Sequence, residues 1–259
     1  PGLFASKKED VRMMRQLFED ERFKPDLLKI YPCLVIKGTP LYKLWKNGEF
    51  TPYSTEEAAE VIAEAKKHFP PWVRVMRVDR DIPVNLIEAG VDKSNLREIV
   101  AKKLAEKGGR CRCIRCREAG LQARFGKNVD WKSVELTRVD FRASGGEEVF
   151  LSFEDSANDL LLGFLRLRNP FAPFRPELVG NTAGVRELHV YGEQLPLSVR
   201  QPEAVQHKNL GKKLLAEAER IADEEWGVDK LAVISGIGVR DYYRKLGYRL
   251  DGAYVSKRL

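Results

Sequence analysis

The sequence predicts an α/β part followed by an α+β part, and three observations carry that prediction. Helical and strand-like segments alternate before Gly108. After the middle of the chain, strand-like runs follow one another directly and give way to a closing β-α-β pattern. Between the two patterns, three cysteines crowd into C-x-C-x-x-C. Alternation of strand and helix favours a parallel α/β arrangement, whereas consecutive strands favour antiparallel pairing.

The elements follow in order. Glu9 to Phe18 places Val11, Met14, Leu17 and Phe18 on one helical face. Leu27 to Ile36 reads as one strand-like run closed by Gly38. Ser54-x-x-Glu57 is a capping box that opens a helix carrying Ala58, Val61, Ile62 and Ala65, and Pro70-Pro71 ends it. Trp72 to Val78 reads as a further strand. Asn95-x-x-Glu98 is expected to cap a helix with Leu96, Ile99, Val100 and Leu104, stopped by Gly108-Gly109. These units suggest part of an α/β barrel and are too few to close one.

Beyond the cysteines, Ser133 to Phe141, Glu147 to Phe153 and Leu160 to Arg168 read as antiparallel strands, with Gly145-Gly146 as the first hairpin turn. A strand at Val185 to Tyr191, a helix from about Leu210 to Glu225, a strand at Leu231 to Ser235, a short helix at Tyr242 and a last strand complete the chain. The expected division is residues 1–107, a basic cysteine linker at 108–130, and residues 131–259.

Hydrophobic residues make up 43% and charged residues 32% of the 259, the balance of a globular chain with a substantial core. No apolar run approaches membrane-spanning length, and Pro1-Gly2-Leu3-Phe4 shows no signal-peptide pattern, so a cytoplasmic protein without a membrane partner is expected. The absence of an initiator Met sets the expectation of a piece of a longer protein. Net charge is +7, and Ala101 to Lys127 holds nine Lys/Arg against Glu106 and Glu118. Such concentration is an electrostatic footprint for phosphates. Lys102, Lys103, Arg110, Arg112, Arg115, Arg117 and Arg124 are the candidate nucleic-acid contacts. The same charges would equally serve a solvated helix face and loop.

Cys111, Cys113 and Cys116 offer three thiolates, and crowding of this kind in a chain without secretory features favours a metal over a disulfide. Structural zinc generally takes four tetrahedral ligands. Cys33 is the expected fourth, with His68 as the alternative and a buried strand cysteine as the plain reading of Cys33.

The strand Arg186 to Gly192, the turn Gln206-His207-Lys208-Asn209-Leu210-Gly211-Lys212 and the final β-α-β resemble a GNAT acetyltransferase fold. Gln206-x-x-Asn209-x-Gly211 is similar to that family's Gln/Arg-x-x-Gly-x-Gly/Ala and departs from it at Asn209, a residue type that tolerates positive φ. The resemblance implies acetyl-CoA as cofactor. Its pyrophosphate would sit on the first-turn amides around Lys208 to Lys212, and its pantetheine arm along Leu188, His189 and Val190. Tyr242 or Tyr243 is the candidate acid for a departing thiolate, with Tyr242 preferred for the site and Tyr243 for the core. Glu187 and His189 are further candidates on the strand.

A narrower resemblance rests on longer blocks. Gly109 to Gly120, Phe18 to Asp26, Lys29-Ile-Tyr-Pro32 and Arg77-x-x-Arg80-Asp-Ile-Pro83, with the segments above, closely resemble the catalytic subunit of Elongator in its archaeal or bacterial form. That resemblance implies a partial radical SAM α/β barrel, a zinc-binding linker and a C-terminal GNAT domain, acting on the wobble uridine of tRNA. It also implies S-adenosylmethionine and an iron–sulfur cluster in a complete family member. The expected partners are tRNA and either a second copy or other Elongator-like subunits. A lysine acetyltransferase acting on proteins, or an RNA-binding fragment, are the competing readings. The cluster needs three closely spaced N-terminal thiolates, and no cysteine precedes Cys33.

Overall fold

The computed structural model describes residues 6–191 and 209–259. The chain separates into two units, Pro1–Cys116 and Arg117–Leu259.

In the first unit, α1 (Lys7–Glu19) starts one turn earlier than its apolar stripe. Ser6 accepts from the Glu9 amide and Glu9 reaches back to the Ser6 amide, so two orphan first-turn donors are satisfied. Met14 and Phe18 are buried, and Phe18 meets Phe69 edge to face at 5.3 Å. The single strand expected at Leu27 to Ile36 is two: β1 (Leu27–Lys29) and β2 (Val35–Ile36). Pro32, which has no N–H to give a ladder, lies in the break. A further helix, α2 (Pro40–Lys46), opens on Thr39, whose hydroxyl accepts from the Tyr42 amide.

The helix α3 (Thr55–Lys66) has the full capping box at Ser54 and Glu57 and buries Ala58, Val61, Ile62 and Ala65. The strand β3 (Arg74–Arg77) pairs in parallel with β1, and β4 (Ile87–Ala89) pairs antiparallel with β2. In α4 (Leu96–Glu106) the Asn95 side chain makes no capping bond; it donates to the Glu98 carboxylate instead. The short α5 (Ile114–Arg117) follows.

The second unit begins with α6 (Ala119–Gln122). Its sheet has seven strands: β5 (Val134–Ala143), β6 (Gly146–Asp155), β7 (Leu160–Asn169), β8 (Thr182–Val190), β9 (Lys230–Ile234), β10 (Arg249–Asp251) and β11 (Tyr254–Arg258). Their order is β10-β11-β9-β8-β7-β6-β5. All neighbours are antiparallel except β8 and β9. Gly146 pairs with Ala143, so the first hairpin turns on Ser144-Gly145 rather than on Gly145-Gly146. Both turn residues have positive φ, 48° and 74°, as a two-residue turn matched to strand twist requires.

One face of the sheet carries Val149, Leu151, Leu165, Leu167, Ala183 and Val185. Against it packs α7 (Leu210–Arg220) through Leu214, Leu215 and Ala218, continued by a π-helical turn (Ile221–Glu225) that adds Ile221 and Ala222. The last helix, α8 (Arg240–Arg244), lies between β9 and β10. The opposite face carries Glu148, Phe150, Phe164, Arg166 and Arg168, with Glu187 and His189 across from Arg166 and Phe164.

Candidate acyl-carrier cleft and thiol cluster

The cleft begins where two strands part. β8 and β9 pair from Thr182 and Lys230 as far as Val185 and Val233. A bulge at Arg186 follows, after which, among the described residues, β8 pairs with β7 and no longer with β9, through Val190 opposite Gly163. Alternate residues of β8 beyond the bulge therefore turn their backbone groups toward a space that β9 has left. Gly163 allows the close approach on the other side, since a Cβ there would stand 3.0 Å from the His189 carbonyl.

The start of α7 faces this parting. Asn209 sits at its N-cap with φ 56°, the left-handed conformation that favours Gly and that Asn tolerates. The first intrahelical bond of the helix runs from the Lys213 amide to the Asn209 carbonyl, 3.1 Å. The amides of Leu210, Gly211 and Lys212 lie before it, carry the positive end of the helix dipole and have no acidic side chain in their turn. A Cβ on Gly211 would lie 3.2 Å from the Tyr242 hydroxyl and 3.6 Å from Val190 Cγ2. Turn, strand and short helix thus converge at one point.

The predicted site residues separate on this geometry. Val190, Asn209, Gly211 and Tyr242 come together, and Lys212 is exposed on the same turn. Leu188 packs against the core, and Leu210 buries its side chain in it, leaving its amide as its one contribution to the turn. Tyr243 is 5% exposed and packs edge to face on Tyr242 and Tyr248, so it is a core residue. Glu187 accepts from Arg166 Nε at 2.9 Å, and the Arg166 guanidinium lies over the Phe150 and Phe164 rings. His189 is exposed, with its ring 4.4 Å from that of Tyr191 and 6.2 Å from Phe164. Gln206, His207 and Lys208 lie outside the described residues.

Burial raises the Tyr242 hydroxyl above the usual phenol range, so it stays protonated at neutral pH. Burial, reinforced by the Tyr242 charge, pushes Tyr243 up to about 12. Two polar groups absent from the sequence reading stand at the end of β9 and the start of α8. Ser235 Oγ and Arg240 Nε are buried without a hydrogen-bond partner among the described residues. Buried polar atoms are rarely left so. The Ser-Gly-Ile-Gly run between them reads as a turn, which hides that signal in the sequence.

In the first unit, the sulfurs of Cys111, Cys113 and Cys116 all lie within 4.8 Å of one another. Three soft donors held this close and largely out of water suit zinc. Hydrogen bonds from Cys111 and then Cys116 hold the Cys113 thiol well below its usual range, while the bond to Cys113 pushes Cys111 up. One member of the group thus ionises easily. Among the described residues, neither Cys33 nor His68 belongs to this group of three. Cys33 is partly buried, and that burial raises its thiol. It sits at the end of the Pro32 break, one more consequence of the strand's division.

The basic stretch is also uneven. Lys102, Arg110, Arg112 and Arg124 are exposed. Lys103 is held by Glu56 at 2.6 Å. Arg115 is half-buried beside the cysteines. Arg117 is 1% exposed and donates to Glu154 at 2.6 Å, so it is a buried ion pair rather than a phosphate contact.

Residues 25–106 match the Radical_SAM C-terminal domain. The whole chain is 53% identical to "tRNA uridine(34) acetyltransferase" of Methanocaldococcus jannaschii, covering 48% of that protein. Over 97% of its length it is 49% identical to "Elongator complex protein 3" of Homo sapiens, covering 46% of that protein. The structure of Methanocaldococcus infernus Elp3 with an N-terminal deletion superposes with a TM-score of 0.92 at 53% identity, over 99% of this chain and 61% of that one. The chain spans about half the length of the curated relatives it matches.

Proposed function

Because the chain belongs to the family of Elongator complex protein 3 and the archaeal tRNA uridine(34) acetyltransferases, we propose that it carries the acyl-CoA-binding part of a tRNA uridine acetyltransferase. The observation that carries this reading is the convergence of Val190, Gly211 and Tyr242 at the parting of β8 and β9. When bound, acetyl-CoA supplies an activated acetyl thioester. The amides of Leu210, Gly211 and Lys212 would hold its pyrophosphate. The edge of β8 that β9 leaves, near Leu188 and Val190, would take the amides of the carrier arm. Tyr242 holds a proton at its Oη beside this turn, where a leaving thiolate can take it. Glu187 is engaged by Arg166, and His189 is exposed with its ring against that of Tyr191.

Cys111, Cys113 and Cys116 would hold a structural zinc beside the basic loop. The exposed Lys102, Arg110, Arg112 and Arg124 offer phosphate contacts to tRNA. The remaining cysteine, Cys33, cannot by itself hold the iron–sulfur cluster of S-adenosylmethionine radical chemistry, so no step of this chain is routed through that cluster. Hydrolysis of acetyl-CoA measured with tRNA, with a histone peptide and with neither tests the reading. Stimulation by tRNA alone is expected. Stimulation by the peptide alone would assign the chain to protein acetylation.

A further inference from the structure

Lys66 closes α3 with 2% of its surface exposed, although its neighbour Lys67 lies outside and pairs with Glu64. A buried ammonium needs a compensating charge. No carboxylate pairs with Lys66 among the described residues; its Nζ lies 3.6 Å from Cys116 Sγ. Arg97, a further cation on α4, donates its Nη2 to the carbonyls of Val75 and Met76 at 3.1 Å. Lys66 thus directs its buried ammonium at the Cys116 sulfur.

Three thiolates around a divalent ion leave one net negative charge, which a buried site must neutralise. From this geometry we infer that Lys66 is the charge partner of the three-cysteine metal site, a positioning residue that donates N–H to the Cys116 sulfur. The inference rests on the zinc reading above. A neutral lysine could itself bind a metal, but an ammonium directed at a thiolate lowers the sulfur's electron donation and holds it in place. Such partners outside the ligand sphere typically govern metal affinity by 10–100-fold.

The test measures zinc stoichiometry, zinc transfer to a chromogenic chelator and the absorption of the cobalt-substituted chain, for the unaltered protein, Lys66→Met and Lys66→Arg. Lys66→Met is expected to lose zinc to the chelator on the order of 10–100-fold more readily. Its thiolate-to-cobalt band should move to longer wavelength, because a sulfur without its hydrogen bond donates more strongly. Lys66→Arg, which keeps charge and donor, should stay close to the unaltered chain in both. Should Lys66→Met fold poorly, Lys66→Gln, which keeps a donor without the charge, carries the same comparison. An uncharged variant with the unaltered affinity and an unshifted band would overturn the role of Lys66 while leaving the metal site standing. An unaltered chain that takes up neither zinc nor cobalt would overturn the metal reading, and the inference with it.

Discussion

The Tyr242 hydroxyl lies 3.2 Å from the point a Cβ on Gly211 would occupy. The relationship couples two helices: any side chain at position 211 of α7 requires the phenol on α8 to give way. Gly211→Ala is expected to weaken acetyl-CoA binding and Gly211→Glu to abolish it, by bulk and by like charge toward phosphate. Calorimetry with acetyl-CoA checks both. Undiminished affinity of the Glu variant would place the carrier elsewhere.

Tyr242→Phe and Tyr243→Phe should part company. Loss of a proton donor commonly costs about 10²–10⁴-fold in rate, so tRNA-stimulated hydrolysis should collapse in the first. Tyr243 packs between Tyr242 and Tyr248, and its variant should mainly alter stability, by about 1 kcal/mol. Equal rates in the two variants and the unaltered chain would make both tyrosines structural.

Alkaline stability follows from the same cluster. Burial pushes Tyr243 up to about 12, and burial with the charge of Glu219 pushes Tyr248 up further. The unfolded chain would lose these protons near pH 10. Above that point the native state binds more protons than the unfolded one, so stability falls as pH rises and is fully present below it. Denaturant melts between pH 8 and pH 12 should show this decline, and Tyr248→Phe should make it shallower. An unchanged slope in that variant would remove Tyr248 from the account.

Charge reversal in the basic stretch should give two kinds of result. Arg112→Glu with Arg115→Glu is expected to lower tRNA affinity and flatten its salt dependence while the fold persists. Arg117→Ala removes one partner of a buried pair, which costs about 3–5 kcal/mol, and should lower the melting temperature without changing the salt slope of the folded protein. A double variant at Arg112 and Arg115 that keeps the original slope would assign those arginines to loop solubility.

Metal analysis separates the cysteines. Cys33→Ser should keep the zinc content of the unaltered chain, since Cys33 stands outside the sulfur group, whereas Cys113→Ser should lose it. A matching loss in the Cys33 variant would bring that residue back as a ligand.

The second unit was readable where one physical signal acted alone. The strand-like runs of β6 and β7 are buried along nearly their whole length and the stripe of α7 is buried on one face, and each forms where the sequence reading places it. Asn209 was readable because few residue types accept its φ. Signals that depend on remote partners were not. Lys66 reads as the solvated end of a helix until the cysteines arrive beside it, and Arg117 reads as part of a charge run until Glu154 meets it. The Pro32 break and the Thr39-Pro40 start of α2 were both visible as local signals, but a continuous apolar run outweighed the first.

The parting of β8 from β9 has one more consequence. Unpaired strand edges at the margin of a sheet invite other polypeptides and are a hazard for any folded chain. Here the stretch of β8 that β9 leaves lies inside the sheet, with β7 on one side and β9 beginning the other. A peptide strand would have to bring side chains into a wedge bounded on both flanks, whereas a thin, unbranched chain bearing amides could enter. On the proposed reading, opening the sheet at its centre instead of its rim would offer backbone hydrogen bonds to a slender guest and withhold them from its own kind.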